Sequence, residues 1–179
     1  MTALGIFGKL PAHGDFVARG LDRRSRDELD AWLSQSLEQA RLTDPDRFTE
    51  RYDSAPPWFM RCVTQDIAQE AVLLPSIDAV GRRFPLYVEH PAIREMAPGR
   101  LAAALADLAR EAILGGWDVD RLAAASVAAD AGEWYADPPD APGAAWWTPE
   151  TERNAAMGRD GHRPPDLITA MLLVGDAIQ

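Results

Sequence analysis

The segment LLPSIDAVGRRFPL, residues 73–86, predicts two β-strands that are joined by a charged turn. It begins with a short apolar run, and its end continues into a second apolar run through Tyr87 and Val88, as expected of two neighbouring strands. Pro75 and Pro85 cannot donate hydrogen bonds to an adjacent strand. We therefore expect both prolines at strand ends, bulges or sheet edges.

The turn between these strands carries most of the segment's polar residues. Gly81 supplies a backbone conformation that branched residues cannot reach, which leaves Asp78, Arg82 and Arg83 at the tip. There the charges can stay solvated or meet a partner, and Asp78 can form an ion pair with Arg82. Phe84 begins the second apolar run, so we expect Phe84 to be buried and Arg83 to be exposed.

A second long motif, GIFGKLPAHGDFVARG at residues 5–20, stands near the N-terminus. Taken together and in this order, the two motifs resemble the TagF (ImpM) family of type VI secretion-associated proteins. Supporting features follow in the family's order: a DAWL helix at residues 30–33, a Trp58 segment and a late WWT at residues 146–148. The resemblance runs from about residue 5 to residue 176, with Leu74 standing where the family is expected to have methionine and Arg83 where it is expected to have an aromatic residue.

The resemblance implies a cytoplasmic, post-translational repressor of a type VI secretion system that acts by protein–protein contact. It also implies a forkhead-associated scaffold protein of the Fha type as the partner. We expect the two motifs to form one surface at one end of a sheet, because both place glycine, proline and charged residues at strand ends. The predicted partner-binding residues are Lys9, His13, Asp15, Asp78, Arg82 and Arg83.

Composition limits the other possibilities. The 179 residues fit one domain over residues 1–179 with a substantial core. A formal net charge of −10 disfavours non-specific binding to nucleic acid or to anionic membranes, since both require a basic surface. Cys62 is the only cysteine, so no internal disulfide can form. The sequence shows neither a signal-peptide pattern nor an apolar run of membrane-spanning length, and we expect a soluble, cytoplasmic protein.

Hydrophobic periodicity predicts alternating strands and helices. Ser25 and Glu28 fit a capping box for a helix over residues 26–41, and a proline–glycine pair precedes a helix over residues 100–114. The remaining predicted elements are strands at 3–7, 58–63, 72–77, 86–89 and 144–148, a short helix around 48–52, a helix capped by Asp118, a proline-rich loop at 138–143 and a last helix at 166–173. Trp146 and Trp147 would point to opposite faces of a strand. We therefore predict an α/β domain with a mixed central sheet and helices on both faces.

Few residues have the spacing of a known catalytic, phosphate-binding or metal-binding motif. The glycines beside Lys9 do not have Walker spacing, and Leu10 stands where a phosphate loop needs Ser or Thr. His13, His90 and His162 are the only histidines, and none stands in a metal-ligand pattern. We expect a protein that is not an enzyme and that needs neither a cofactor nor a metal.

Two alternatives remain open at this stage. One is a small hydrolase or phosphatase that uses His13, Asp15, Ser76 and Asp78, although Ser76 lacks the flanking glycines of a nucleophile elbow. The other is a structural accessory subunit of the secretion apparatus. Convergence of the four side chains in one concave pocket would favour the hydrolase.

Overall fold

A computed structural model describes residues 4–65, 68–93, 96–127, 137–138, 143–148 and 157–174. Within these ranges the chain forms seven strands and five helices. The strands are β1 Gly5–Gly8, β2 Val17–Arg19, β3 Trp58–Val63, β4 Ala68–Leu74, β5 Leu86–Pro91, β6 Gly143–Thr148 and β7 Met157–Asp160. The helices are α1 Arg23–Thr43, α2 Phe48–Ser54, α3 Arg100–Leu114, α4 Val119–Ala124 and α5 Leu167–Leu173.

All seven strands belong to one sheet in the order β2-β1-β5-β4-β3-β6-β7. The predicted α/β class is confirmed, but each of the pairings between neighbouring strands is antiparallel, so the expectation of a mixed sheet is wrong. Helices on both faces of a sheet do not require parallel strands joined by crossovers. Instead, the long connection from β5 through α3 and α4 carries the chain past β4 and β3, and β6 enters antiparallel to β3.

The sheet is covered on both faces, as predicted. Helices α1, α2 and α5 pack on the first face, where the core includes Trp58, Tyr87 and Trp146. Helices α3 and α4 pack on the second face, where the core includes Phe59 and Trp147. The adjacent tryptophans of β6 therefore enter opposite cores, because side chains alternate along a strand.

Helix α1 begins earlier than the sequence predicted. Its N-cap is Asp22, whose carboxylate accepts a hydrogen bond of 2.7 Å from the backbone N–H of Ser25. The predicted capping box is thus wrong, because the residue that can accept this bond lies three positions before Ser25. Glu28, the other half of the predicted box, instead pairs with Arg24 and Arg163.

Three predictions of secondary structure are confirmed. Strand β3 and helix α3 have the predicted bounds, and α4 is capped by Asp118 as expected. Strand β4 lies at Ala68–Leu74 instead of residues 72–77, so it ends just before Pro75. Most of the predicted proline-rich loop lies outside the described residues. That residues 1–179 form one domain stays a prediction.

Helix α3 is tied to the sheet by a buried acid. Glu70 of β4 is 3% exposed, and its carboxylate accepts hydrogen bonds of 2.9 Å from the backbone N–H groups of Gly99 and Ala102. These donors belong to the first turn of α3, where backbone N–H groups have no partner inside the helix. Gly99 itself has a φ of +82°, a conformation that favours glycine.

Candidate functional site

The two sequence motifs meet at one end of the sheet. We call the surface formed by residues 9–16, which follow β1, and residues 75–85, which join β4 to β5, the paired-motif surface. Both segments leave the sheet at the same end because Leu86 pairs with Gly8 on one side and with Leu74 on the other. The predicted closeness of the motifs is therefore confirmed.

Three hydrogen bonds to backbone carbonyl oxygens join the two segments directly. The N–H of Ala79 donates to the carbonyl oxygen of His13 at 2.8 Å. The hydroxyl of Ser76 donates to the carbonyl oxygen of Lys9, also at 2.8 Å, and Nη2 of Arg82 donates to the carbonyl oxygen of Gly14 at 2.6 Å. Three bonds of this kind fix the segments relative to each other and make them one unit.

A buried ion pair lies beneath this surface. The ammonium of Lys9 is 2.9 Å from Oδ2 of Asp78, and both residues are almost fully buried. The expectation that Asp78 stands at the tip with its charge either solvated or meeting a partner is wrong, because the side chain turns inward to meet Lys9. Burial acts to raise the pKa of Asp78, but hydrogen bonds from Lys9 and Arg82 outweigh it and hold the pKa well below its ordinary value.

Asp78 also shapes the turn that carries it. Its Oδ1 accepts hydrogen bonds from the backbone N–H groups of Val80 at 3.1 Å and Arg82 at 2.9 Å. Its own carbonyl oxygen accepts from the N–H of Gly81, whose φ is +82°. An aspartate that bonds the backbone two residues on is a common turn device, and here the same carboxylate also binds Lys9.

Helix α2 supports the turn from the first face of the sheet. The buried hydroxyl of Tyr52 donates to the carbonyl oxygen of Ser76 and accepts from its N–H, both at 3.2 Å. Burial raises the pKa of Tyr52 well above its usual value, so this hydroxyl stays protonated. Asp53, the next residue of α2, binds Arg83 through two hydrogen bonds of 2.8 and 2.6 Å.

The two arginines of the turn have different environments. Nε of Arg82 lies 2.6 Å from Asp78, so the predicted pairing is confirmed, and the Arg82 side chain is 59% exposed. The prediction that Arg83 is exposed is wrong, since its side chain is only 29% exposed and its guanidinium group is bound by the carboxylate of Asp53. Phe84 is buried as predicted, at 4% exposure.

His13 and Asp15 lie on the N-terminal segment of the surface. Nε2 of His13 accepts a hydrogen bond of 3.0 Å from the backbone N–H of Val119, the first residue of α4. In the neutral ring this bond places the proton on Nδ1. Asp15 is exposed, and its carboxylate accepts from the N–H of Phe16 at 2.8 Å.

These contacts argue against the hypothesis that the protein is a hydrolase or phosphatase using these four residues. A nucleophile and its base must be within hydrogen-bonding reach of each other. In the part of the chain that the structure describes, Ser76 donates to a backbone carbonyl, His13 accepts from α4, and Asp78 binds Lys9 and Arg82. The four candidate side chains lie on the same surface, but each forms its hydrogen bonds with a different group of the protein.

Sequence analysis missed three apolar side chains of the paired-motif surface. Phe16, Ile77 and Val80 are 46%, 37% and 72% exposed. The ring of Phe16 stacks on Phe7 with a centroid distance of 5.9 Å and forms a T-shaped contact with Phe84 at a centroid distance of 4.7 Å. The available signal was the presence of large apolar residues inside segments otherwise rich in glycine, proline and charge.

The fold and the surface together define an α/β protein with a closely linked pair of loops at one end of an antiparallel sheet. The model of the TagF N-terminal domain family, described as type VI secretion system-associated, matches residues 5–128. The chain belongs to this family, as its motifs predicted, and this supports a role connected with type VI secretion. None of the helices in the described ranges is long and apolar enough to cross a membrane.

A solved structure has the same fold. The crystal structure of PA0076 from Pseudomonas aeruginosa PAO1 is similar with a TM-score of 0.66 and 21% sequence identity. The match covers 94% of this chain and 93% of that chain. No curated protein matches the sequence at a significant level.

Proposed function

We propose that this protein is a cytoplasmic repressor of a type VI secretion system that acts after translation by binding a protein component of the system. The observation that carries the proposal is the paired-motif surface, where two segments are fixed together by hydrogen bonds to backbone carbonyl oxygens and a buried ion pair. Conformations that are held before binding lose less entropy on association. A rigid surface without a catalytic arrangement suits recognition.

The proposed partner is a forkhead-associated scaffold protein of the same system. His13, Asp15, Arg82 and Arg83 are the proposed polar contacts, whereas Lys9 and Asp78 are buried and contribute by holding the surface in shape. Binding would keep the scaffold from supporting assembly, so that the sheath and tube do not form or fire. Belonging to the family supports the secretion context of this proposal.

The test is made in a bacterium that carries the secretion cluster and this gene. Overproduction of the protein should reduce the amount of tube protein in the culture medium, and deletion of the gene should increase it. Messenger RNA of the cluster should not change in either strain, since the repression acts after translation. Unchanged secretion in both strains would contradict the proposal.

A pull-down with the tagged protein identifies the partner. Recovery of the forkhead-associated scaffold supports the proposal, whereas recovery of baseplate subunits alone would favour the structural accessory role. Asp15→Arg tests the surface, because Asp15 is exposed and its carboxylate binds only a neighbouring backbone group in the described structure. Asp30→Arg on α1 is the matched control, since Asp30 is also exposed.

A further inference from the structure

A short segment crosses the first face of the sheet between β7 and α5. Strand β7 ends at Asp160, and the backbone N–H of Gly161 still donates to the carbonyl oxygen of Ala144 in β6 at 2.8 Å. Gly161 has a φ of +98°, a conformation that favours glycine, and the chain leaves the strand there. We call residues 161–165 the crossing segment.

The crossing segment passes over Cys62. The side chain of His162 reaches Gln69 of β4, with 3.3 Å between the Nε2 atoms of the two residues, whereas Gly161 is bonded to β6. Strand β3 lies between β4 and β6, and its Cys62 is paired with Gln69 on one side and with Ala144 on the other. Directly paired residues share a face of the sheet, and Cys62 belongs to the first core with an exposure of 6%. A segment that joins β6 to β4 on this face therefore covers Cys62.

Two tryptophans hold the backbone of the crossing segment. The indole N–H of Trp146 donates to the carbonyl oxygen of His162 at 3.0 Å, and the indole N–H of Trp32 donates to the carbonyl oxygen of Pro164 at 2.9 Å. Neither bond changes near neutral pH, because indole and carbonyl groups do not titrate there. A proton can act on the segment through the His162 ring.

The contact of the His162 ring with β4 requires a neutral imidazole. The amide nitrogen of Gln69 donates one hydrogen to Oε2 of Glu89 at 3.5 Å and the other to Nε2 of His162, so this ring nitrogen accepts and the ring proton is on Nδ1. The hydroxyl of Tyr87 donates to the same Glu89 oxygen at 2.5 Å. Turning the Gln69 amide over would set its oxygen against that carboxylate. A proton on Nε2 of His162 would therefore oppose two donors and break the bond.

The surroundings of the ring disfavour a positive charge on it. The charged or titratable groups around it are Arg163 of the segment itself, Glu28 of α1, Glu89 and Tyr87 of β5 and Cys62 of β3. Desolvation lowers the pKa of His162 most and Arg163 lowers it further, whereas Glu89 and Glu28 raise it by less. His162 is an exposed residue, so protons can reach it. Its contact should be complete above the ordinary histidine pKa of about 6.5 and should weaken as the pH falls below that value.

We propose that the crossing segment is a pH-sensitive strap over the sheet, which neutral His162 holds closed on Gln69 and which protonation of His162 loosens, so that solvent reaches the thiol of Cys62. The strap lies at the opposite end of β4 from the paired-motif surface. The two indole bonds keep the segment near the sheet, and the opening is therefore local and reversible. Such a strap couples the accessibility of the first core to the pH around the protein.

The thiol of Cys62 reports the opening directly, because it is the only cysteine of the sequence. Purified protein is mixed with 4,4′-dithiodipyridine between about pH 8 and about pH 5, the range in which histidine changes charge, and the rate of thiol modification is measured. Each rate is divided by the rate for the protein unfolded in guanidinium chloride at the same pH, which corrects for the pH dependence of the thiol reaction itself. Far-UV circular dichroism monitors the fold at every pH.

The supporting result has two parts. The rate ratio should increase several-fold as the pH falls from about 7.5 to about 5.5 while the circular dichroism spectrum stays the same, and the ratio should no longer depend on pH in His162→Gln. Glutamine can accept a hydrogen bond from Gln69 but does not titrate. The matched controls His13→Gln and His90→Gln remove the other two histidines and should keep the pH dependence of the wild type.

Four results would overturn the strap. They are a ratio that does not change with pH in the wild type, an increase that persists in His162→Gln, an increase that disappears in either control variant, and an increase that accompanies loss of the circular dichroism signal, since the last reports global unfolding. If His162→Gln reacts quickly at every pH, the lost pH dependence still assigns the titration to His162 and shows that the ring closes the strap.

Discussion

At the scale of single residues, the paired-motif surface depends on side chains that the partner would never touch. Lys9 and Asp78 bind each other under the surface, and Phe84 packs against the exposed ring of Phe16. The charge reversals Arg82→Glu and Arg83→Glu would break intramolecular bonds to Asp78 and Asp53. We therefore expect these two variants to lower the melting temperature, so that variants at Asp15 and Val80 are better tests of binding.

Phe84→Ala should destabilise the protein strongly. The side chain is 4% exposed and contacts the rings of Phe7 and Phe16, and removal of a buried phenylalanine ring costs about 3–5 kcal/mol. The measurement is the free energy of unfolding from denaturant titration. Phe16→Ala is the control and should lose clearly less, because half of its ring is already in water. Equal losses for the two variants would mean that Phe84 does not hold the surface in place.

Asp78→Asn should make stability less sensitive to acid. The folded-state pKa of Asp78 lies below its unfolded value of about 3.9, so its stabilising effect is complete above that value and is lost as the pH falls below it. The difference in unfolding free energy between wild type and Asp78→Asn should be largest near neutral pH and should narrow below about pH 4. Denaturant titrations across this range measure it. Asp46→Asn, at an exposed position, is the control, and a constant difference for Asp78→Asn would contradict the ion-pair role.

At the scale of elements, a few polar side chains connect the sheet to its helices. Glu70 joins β4 to the start of α3, and Tyr52 joins α2 to the residues that follow β4. Glu70 binds backbone N–H groups at the start of a helix, which have no partner inside the helix, and Tyr52 binds both the N–H and the carbonyl oxygen of Ser76. Helices on the two faces of the sheet therefore hold Glu70 within β4 and Ser76 just after it. These contacts also hold the turn at residues 75–85 in place.

Glu70→Gln should weaken the attachment of α3. The amide can still accept one of the two helix N–H bonds, but its NH2 group then faces a second donor, and an unsatisfied buried polar group costs about 1–3 kcal/mol. Hydrogen exchange at the first amides of α3 should accelerate more than exchange in α1. Glu38→Gln on the exposed side of α1 is the control. If exchange in α3 is unchanged, Glu70 is not its effective cap.

Elements with a clear apolar pattern and distinct flanking residues were predictable from the sequence, and elements without them were not. α3 and β3 were predicted with their observed bounds because apolar periodicity and flanking glycine or proline agree there. Strand β2 has three residues and β7 is MGRD, and such segments become strands only by pairing with a neighbour. The proximity of the two motifs was also predictable. The inward turn of Asp78 toward Lys9 was not, because charge in a glycine-containing turn ordinarily indicates exposure.

At the scale of the whole molecule, one sheet separates two hydrophobic cores. The first core includes Leu33 of α1, and the second includes Leu105 of α3. Strands β3 and β4 contribute alternate side chains to both cores. Disruption of either core therefore destabilises the same two strands. This sharing supports the proposal that residues 1–179 unfold as one domain.

Leu33→Ala and Leu105→Ala test this proposal. Both leucines are fully buried, and each substitution should cost about 2–5 kcal/mol. If the two cores form one cooperative unit, either variant lowers the protection of slowly exchanging amides in α1 and α3 by the same free energy, because those amides exchange only through global unfolding. Hydrogen exchange with mass spectrometry, performed with added denaturant, measures this. Should Leu33→Ala lower protection in α1 alone and Leu105→Ala in α3 alone, the two faces unfold separately and the single-domain proposal is wrong.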